Sequence, residues 1–149
     1  MYGIPIIYPR YDPPPGWELR EEPTYRLYTP PGVPATAMQV SPLAGRQNGS
    51  PAPADWLDRL LAAEGRRRFV PVGSGERTPI TVPSGLGGLA LEIVGGYDDP
   101  QALVEKRTYV ALADDLAVYP FVFLASVTTH ASLAPLFWQS VMSVSRFEP

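Results

Sequence analysis

The chain predicts an α+β domain built on an antiparallel sheet. Three observations carry that expectation. Helical apolar periodicity is confined to one early and one late segment, the stretch between reads as strands joined by hairpin turns, and 12 of the 19 prolines fall within the first 54 residues. Of the 149 residues, 45% are hydrophobic and 11% aromatic, with a formal net charge of −3. That is the make-up of one folded domain, with an extended proline-rich N-terminal arm over residues 1–15 and a single α+β unit over residues 16–149.

Proline fixes φ and removes a donor, so the first third must be arm, edge strand and turn. Within the arm, Tyr2, Ile4, Ile6, Ile7, Tyr8 and Tyr11 need an apolar surface, either on their own domain or on a partner. From Trp17 to Pro31 and from Val33 to Pro42 the pattern is strand-like, and Pro30-Pro31-Gly32 supplies the turn of a hairpin. Ala44 to Gly49 reads as a loop. A helix follows, opened by Ser50 and Pro51 or by Pro53, with Trp56, Leu57, Leu60 and Leu61 on one face and Gly65 as its stop. Phe69–Val72 and Thr78–Val82 read as two separate strands, each demoted toward an edge by its proline, Pro71 or Pro79. Gly87 to Tyr97 is a further strand. Lys106–Ala113 and Leu116–Val127 form the clearest hairpin, joined by Asp114-Asp115, and the wholly apolar run Phe121–Ala125 marks a central strand buried on both faces. A last helix, capped by Ser132 or Thr129 with Pro135 in its first turn, carries Leu133, Leu136, Phe137, Val141 and Val144 on one face.

This order of elements resembles the PsbP-like superfamily. The residues that carry the resemblance are the N-terminal aromatic-and-proline hairpin, the helix Asp55-Trp56-Leu57-Asp58-Arg59-Leu60-Leu61, the meander, and the ending. There an apolar strand (Tyr119 to Ser126) leads through a Thr128-Thr129-His130-Ala131 loop into Pro135-Leu136-Phe137-Trp138-Gln139-Ser140-Val141-Met142-Ser143-Val144. The resemblance covers roughly residues 17 to 147 and implies an α/β/α sandwich around an antiparallel sheet. It also implies a binding or assembly role of the kind seen in bacterial DcrB, LpqN and Eag-type chaperones, the last acting on secretion-system effectors. The family shares a shape rather than a catalytic set, so no site residue follows from it. The long arm and Arg66-Arg67-Arg68 have no counterpart in the pattern.

Composition narrows the chemistry. With no cysteine, a disulfide scaffold, thiolate metal sites and a cysteine nucleophile are excluded, and with His130 as the single histidine neither a metal nor another cofactor is expected. The small acidic balance speaks against nucleic acid as the main partner. The chain lacks a secretory leader pattern and a long apolar run, so a cytoplasmic protein without a membrane span is expected, a removed leader aside. His130 with Ser126 or Ser132 and Asp98 or Asp114 could be drawn as a catalytic trio, but no Gly-x-Ser-x-Gly elbow accompanies it, and a turn histidine accounts for it. Gly73-Ser74-Gly75 and Gly85-Leu86-Gly87-Gly88 lack the lysine, hydroxyl and strand-to-helix context of a phosphate loop and read as turns. Asp98-Asp99 and Asp114-Asp115 offer carboxylates without calcium-loop spacing. Arg66, Arg67 and Arg68 suit a helix C-terminus, or an acidic partner. No enzyme is expected. A protein-binding module, monomeric or homodimeric, is, with the arm residues Tyr2, Ile4, Ile6, Ile7 and Tyr8 and the run Arg66, Arg67 and Arg68 as its contact residues. The alternative is a small apolar ligand or lipid held among the abundant aromatics, which could equally be core filling.

Overall fold

The computed structural model describes residues 6–45, 53–66, 69–97 and 105–148. Among them, eight strands form one antiparallel sheet with two helices packed on it. The strands are β1 (Glu18–Glu21), β2 (Arg26–Thr29), β3 (Ala37–Val40), β4 (Ala44–Gly45), β5 (Phe69–Thr81), β6 (Gly87–Tyr97), β7 (Glu105–Ala113) and β8 (Ala117–Ser126). The helices are α1 (Pro53–Arg66) and α2 (Val127–Met142). The spatial order is β1-β2-β3-β8-β7-β6-β5, with β4 pairing β8 alongside β3.

The apolar run of β8 therefore lies at the centre, as its composition requires. Tyr119, Phe121, Phe123 and Ala125 point to one side, where they pack with Phe137 and Val141 of α2. Val118 and Val122 point to the other and pack with Leu57 of α1 and with Leu91, Ile93, Tyr109 and Ala111. Successive strand residues face opposite ways, so the two helices cover opposite faces of the sheet.

Pro120 stands in this central strand because of where the neighbours end. Its side of β8 meets Ser41, just past β3 and before β4, and there only the proline carbonyl is used, accepting the Ser41 N–H at 3.3 Å. The β7–β8 turn is held by Asp114, whose Oδ1 accepts the backbone N–H groups of Leu116 (2.8 Å) and Ala117 (2.9 Å). Its Oδ2 accepts the Tyr119 hydroxyl at 2.9 Å, and that hydroxyl oxygen in turn accepts the Phe147 N–H at 2.8 Å, tying the C-terminal segment to the sheet.

Several sequence expectations change. Trp17–Pro31 is two strands, β1 and β2, turned at Glu22–Tyr25, where the Glu22 N–H donates to the Tyr25 carbonyl at 2.9 Å. Ala44–Gly45 is not loop but the short strand β4. Phe69–Val72 and Thr78–Val82 belong to the single edge strand β5, whose register on β6 shifts between Val72 and Glu76. Gly75 in that irregularity has φ of +71°, and a methyl group on it would lie 2.7 Å from the Glu92 carbonyl oxygen, so the Gly-Ser-Gly sequence serves a bulge and not a turn between two strands. The helix α1 is described from Pro53 to Arg66, so Gly65 lies within it, and the opening at Ser50 and Pro51 falls outside the described residues. The helix α2 begins at Val127, earlier than expected. Its N-cap is Ser126, which accepts the Thr129 N–H at 3.3 Å, so Thr128–Ala131 is the helix's first turn and Pro135 lies mid-helix.

Candidate functional site

The arm carries most of the sequence-predicted contact residues. Of these, Tyr2, Ile4, Arg67 and Arg68 lie outside the described residues, as do Asp98 and Asp99; Arg66 is described only as the last residue of α1. From Ile6 onward the arm can be followed. Its backbone is fastened at two places: the Ile7 carbonyl accepts the Leu43 N–H at 2.7 Å, and the Arg10 carbonyl accepts the Ser145 N–H at 2.9 Å in an isolated antiparallel bridge. Two residues further on, the Asp12 N–H donates to Ser143 Oγ at 2.7 Å. The arm thus lies against the α2 side of the sheet, between the segment after β3 and the segment after α2.

Side chains reinforce this seat. Tyr11 stands edge-on to both Tyr28 (6.0 Å between ring centroids) and Phe121 (5.6 Å), and its hydroxyl bonds that of Tyr28 at 2.7 Å. Burial, then the Tyr28 hydroxyl, raise the Tyr11 pKa above its ordinary value, so the phenol stays neutral and keeps this bond. The guanidinium of Arg26 lies 4.1 Å from the Tyr8 ring centroid. Trp17 follows, tilted against Phe123 at 6.2 Å.

Ile6 and Ile7 behave otherwise. They remain 60% and 39% exposed, at the rims of two clefts that flank the arm. One cleft, of about 410 Å³, runs between Ile7–Arg10 and Ser145–Glu148, with Arg10 and Arg146 on its walls. The other, of about 250 Å³, is bounded by Ile6, Tyr8, Glu21, Glu22, Pro23 and Arg26. The sequence singled out Ile6, Ile7 and Tyr8; it gave no signal for the opposing wall, Ser145 to Glu148, because that wall is brought over by the return of the chain after α2.

Elsewhere the candidate chemistry is taken up by structure. His130 is buried in the first turn of α2, its Nε2 2.9 Å from Thr108 Oγ1 and its ring 4.8 Å from Phe123. Burial lowers its pKa below the ordinary 6.5, with Lys106 acting in the same direction and Glu92 against it. The imagined trio is not assembled. Ser126 bonds Thr129 Oγ1 at 2.8 Å, Ser132 donates to the Thr129 carbonyl at 2.9 Å, and Asp114 holds its turn. A second buried polar group went unnoticed in the sequence: Glu105, Arg107 and Tyr109, alternate residues of β7, line the α1 face, with Arg107 Nε 2.5 Å from Glu105 Oε2. Among the described residues no three or more histidines, cysteines or carboxylates cluster as metal ligands would. Nor, among them, is any helix long and apolar enough to cross a membrane. Gly85 at φ of +94° turns β5 into β6, its N–H donating to the Val82 carbonyl at 2.9 Å, and Gly88 is required because a methyl group would lie 1.9 Å from the Ala111 carbonyl oxygen of β7.

No family model and no curated protein matches this sequence. Among solved structures the chain is similar to PA94, a protein of unknown function from Pseudomonas aeruginosa, at 14% identity and a TM-score of 0.52, over 89% of this chain and 99% of that one. At that identity the likeness is one of fold.

Proposed function

We propose that this chain is a non-enzymatic binding module, an α/β/α sandwich of PsbP-like type that engages a protein partner through its N-terminal arm and the clefts beside it. The observation that carries the reading is the division within the arm. Tyr8 and Tyr11 are spent on the domain's own surface, whereas Ile6 and Ile7, two large apolar side chains in succession, are left exposed at cleft rims. Exposed apolar side chains held on a fastened backbone suit recognition, because little ordering entropy remains to be lost on binding. Arg10 and Arg146 on the larger cleft favour a partner segment that carries acidic groups beside apolar ones. In this reading the protein works in the cytoplasm as an assembly factor or chaperone, and the resemblance to Eag-type proteins makes a secretion effector the first partner class to try.

The test is site-directed photo-crosslinking in extract of the native host, with a benzophenone side chain placed at Ile6, at Ile7, or at Asp115 on the distant β7–β8 turn. One discrete product is expected from positions 6 and 7 and not from 115, and it should disappear when untagged wild type is added in excess as competitor but persist when the untagged Ile6→Asp/Ile7→Asp variant takes its place. The same products from all three positions would refute the arm as the contact surface.

A further inference from the structure

The two edges of the sheet differ in what they offer a further strand. In an antiparallel ladder, alternate residues direct their N–H and C=O to one neighbour and the residues between direct theirs to the other. On β5 the Val82 N–H bonds the Leu86 carbonyl at 2.9 Å, and the pairs run back through Ile80↔Gly88 and Thr78↔Ala90. Even-numbered residues there face β6, so Pro79 faces outward. Beyond the bulge, Val72 pairs Val94 on the same side of β6, so Pro71 also faces outward. Each proline removes an N–H that an incoming strand would need, and this edge is closed.

At the other edge the same accounting gives the opposite result. The Glu22 N–H bonds the Tyr25 carbonyl, which makes Arg20↔Leu27 a hydrogen-bonded pair and leaves the backbone groups of Leu19 and Glu21 directed away from β2. An independent count agrees. The bond from Ser41 N–H to the Pro120 carbonyl sets odd residues of β3 toward β8, hence Met38 and Val40 toward β2, Tyr28 and Arg26 toward β3, and Leu27 toward β1. No proline lies within Glu18–Glu21, all four residues are exposed, and Leu19 is 49% exposed.

Three two-fold registers would set these outward groups against a copy of themselves. With Arg20 on the axis, two guanidiniums oppose each other. With Glu21 on the axis, two carboxylates do, and Leu19 meets Pro23, which has no N–H. With Leu19 on the axis, Leu19 faces Leu19, and Glu18 of each copy faces Arg20 of the other. We infer that this edge is a homodimer interface, β1 pairing antiparallel with β1 of a second copy through a Leu19–Leu19 pair and joining two sheets into one. Leu19 N–H and C=O exchange bonds across the axis, and the Glu21 N–H donates to the Trp17 carbonyl of the second copy. Arg20 engages Glu22 of its own chain through Nε at 2.5 Å, which leaves its terminal nitrogens for Glu18 of the other copy. The strand is short, so the dimer belongs to the small, concentration-dependent class of interfaces.

Sedimentation velocity over a wide concentration range tests this. The wild type should shift reversibly from 16.3 kDa toward twice that mass as concentration rises. Leu19→Pro should stay monomeric with an unchanged circular-dichroism spectrum, because its N–H takes no part in the β1–β2 ladder. Glu18→Arg and Arg20→Glu should each weaken dimerisation about tenfold, and the double swap should restore it. A wild type that stays monomeric throughout overturns the proposal, as does a double swap no better than the single variants; the wild-type series and the charge swap decide the matter even if Leu19→Pro fails to fold.

Discussion

His130 illustrates how much a single residue's role depends on burial. Its ring lies against Phe123 and Thr108, with Lys106 and Glu92 nearby on neighbouring strands, and at the positive end of α2. Burial, with Lys106, depresses its pKa below 6.5, so the folded protein keeps the imidazole neutral where the unfolded chain takes up a proton. Below about pH 6.5 the unfolded state therefore binds more protons, and stability falls as pH drops toward the folded-state pKa; above 6.5 both states are neutral and this group contributes no slope. Melting temperatures of wild type and His130→Gln, measured from pH 8 to 5, should converge as pH falls, since the variant lacks this contribution; parallel curves would remove it. That a lone histidine sits near the last helix was legible in the sequence. Its partner Thr108 was not, because the two are 22 residues apart and meet only when α2 folds back on β7.

At the scale of elements, the prediction was most accurate where chemistry is local. The Pro-Pro-Gly and Asp-Asp turns, the strand Gly87–Tyr97 and the apolar central strand β8 stand where composition puts them. Errors fell where one local signal serves two structures. A Gly-Ser-Gly sequence suits a turn and a bulge equally, and pairing with β6 selects the bulge. Two threonines and a histidine read as loop because β-branched residues are weak helix formers. Ser126 caps them, and burial of His130 holds them helical. Two substitutions in α2 can be followed by thermal or urea unfolding. Ser126→Ala should cost about 1 kcal/mol by freeing the Thr129 N–H. Pro135→Ala should add about 1 to 3 kcal/mol, since the exposed proline cannot donate to the Ala131 carbonyl one turn back. Nothing in the structure explains why proline stands there.

Over the whole molecule, the arm is the feature whose meaning changed most. Its residues 7–12 are fastened across the sheet's α2 side to segments more than thirty residues away at one end and more than a hundred at the other. Tyr11→Ala, which removes a ring packed on Tyr28 and Phe121, should lower stability by about 3 kcal/mol, with the urea midpoint moving and the slope unchanged. A shift no larger than that of an exposed site would mean that the arm's seat adds little. By itself the sequence determined that the chain is an α+β domain with one proline-rich end, two helices and a buried central strand, because proline placement and apolar periodicity act through neighbours a few residues apart. Only the tertiary structure decided which edge of the sheet is closed by proline and which still offers backbone groups. It alone decided that residues 7–12 lie along the α2 side of the sheet, and that Ser145–Glu148 faces Ile7 across a cleft. Those outcomes depend on hydrogen-bond direction and on contacts between distant segments, and neither leaves a periodic mark in the chain.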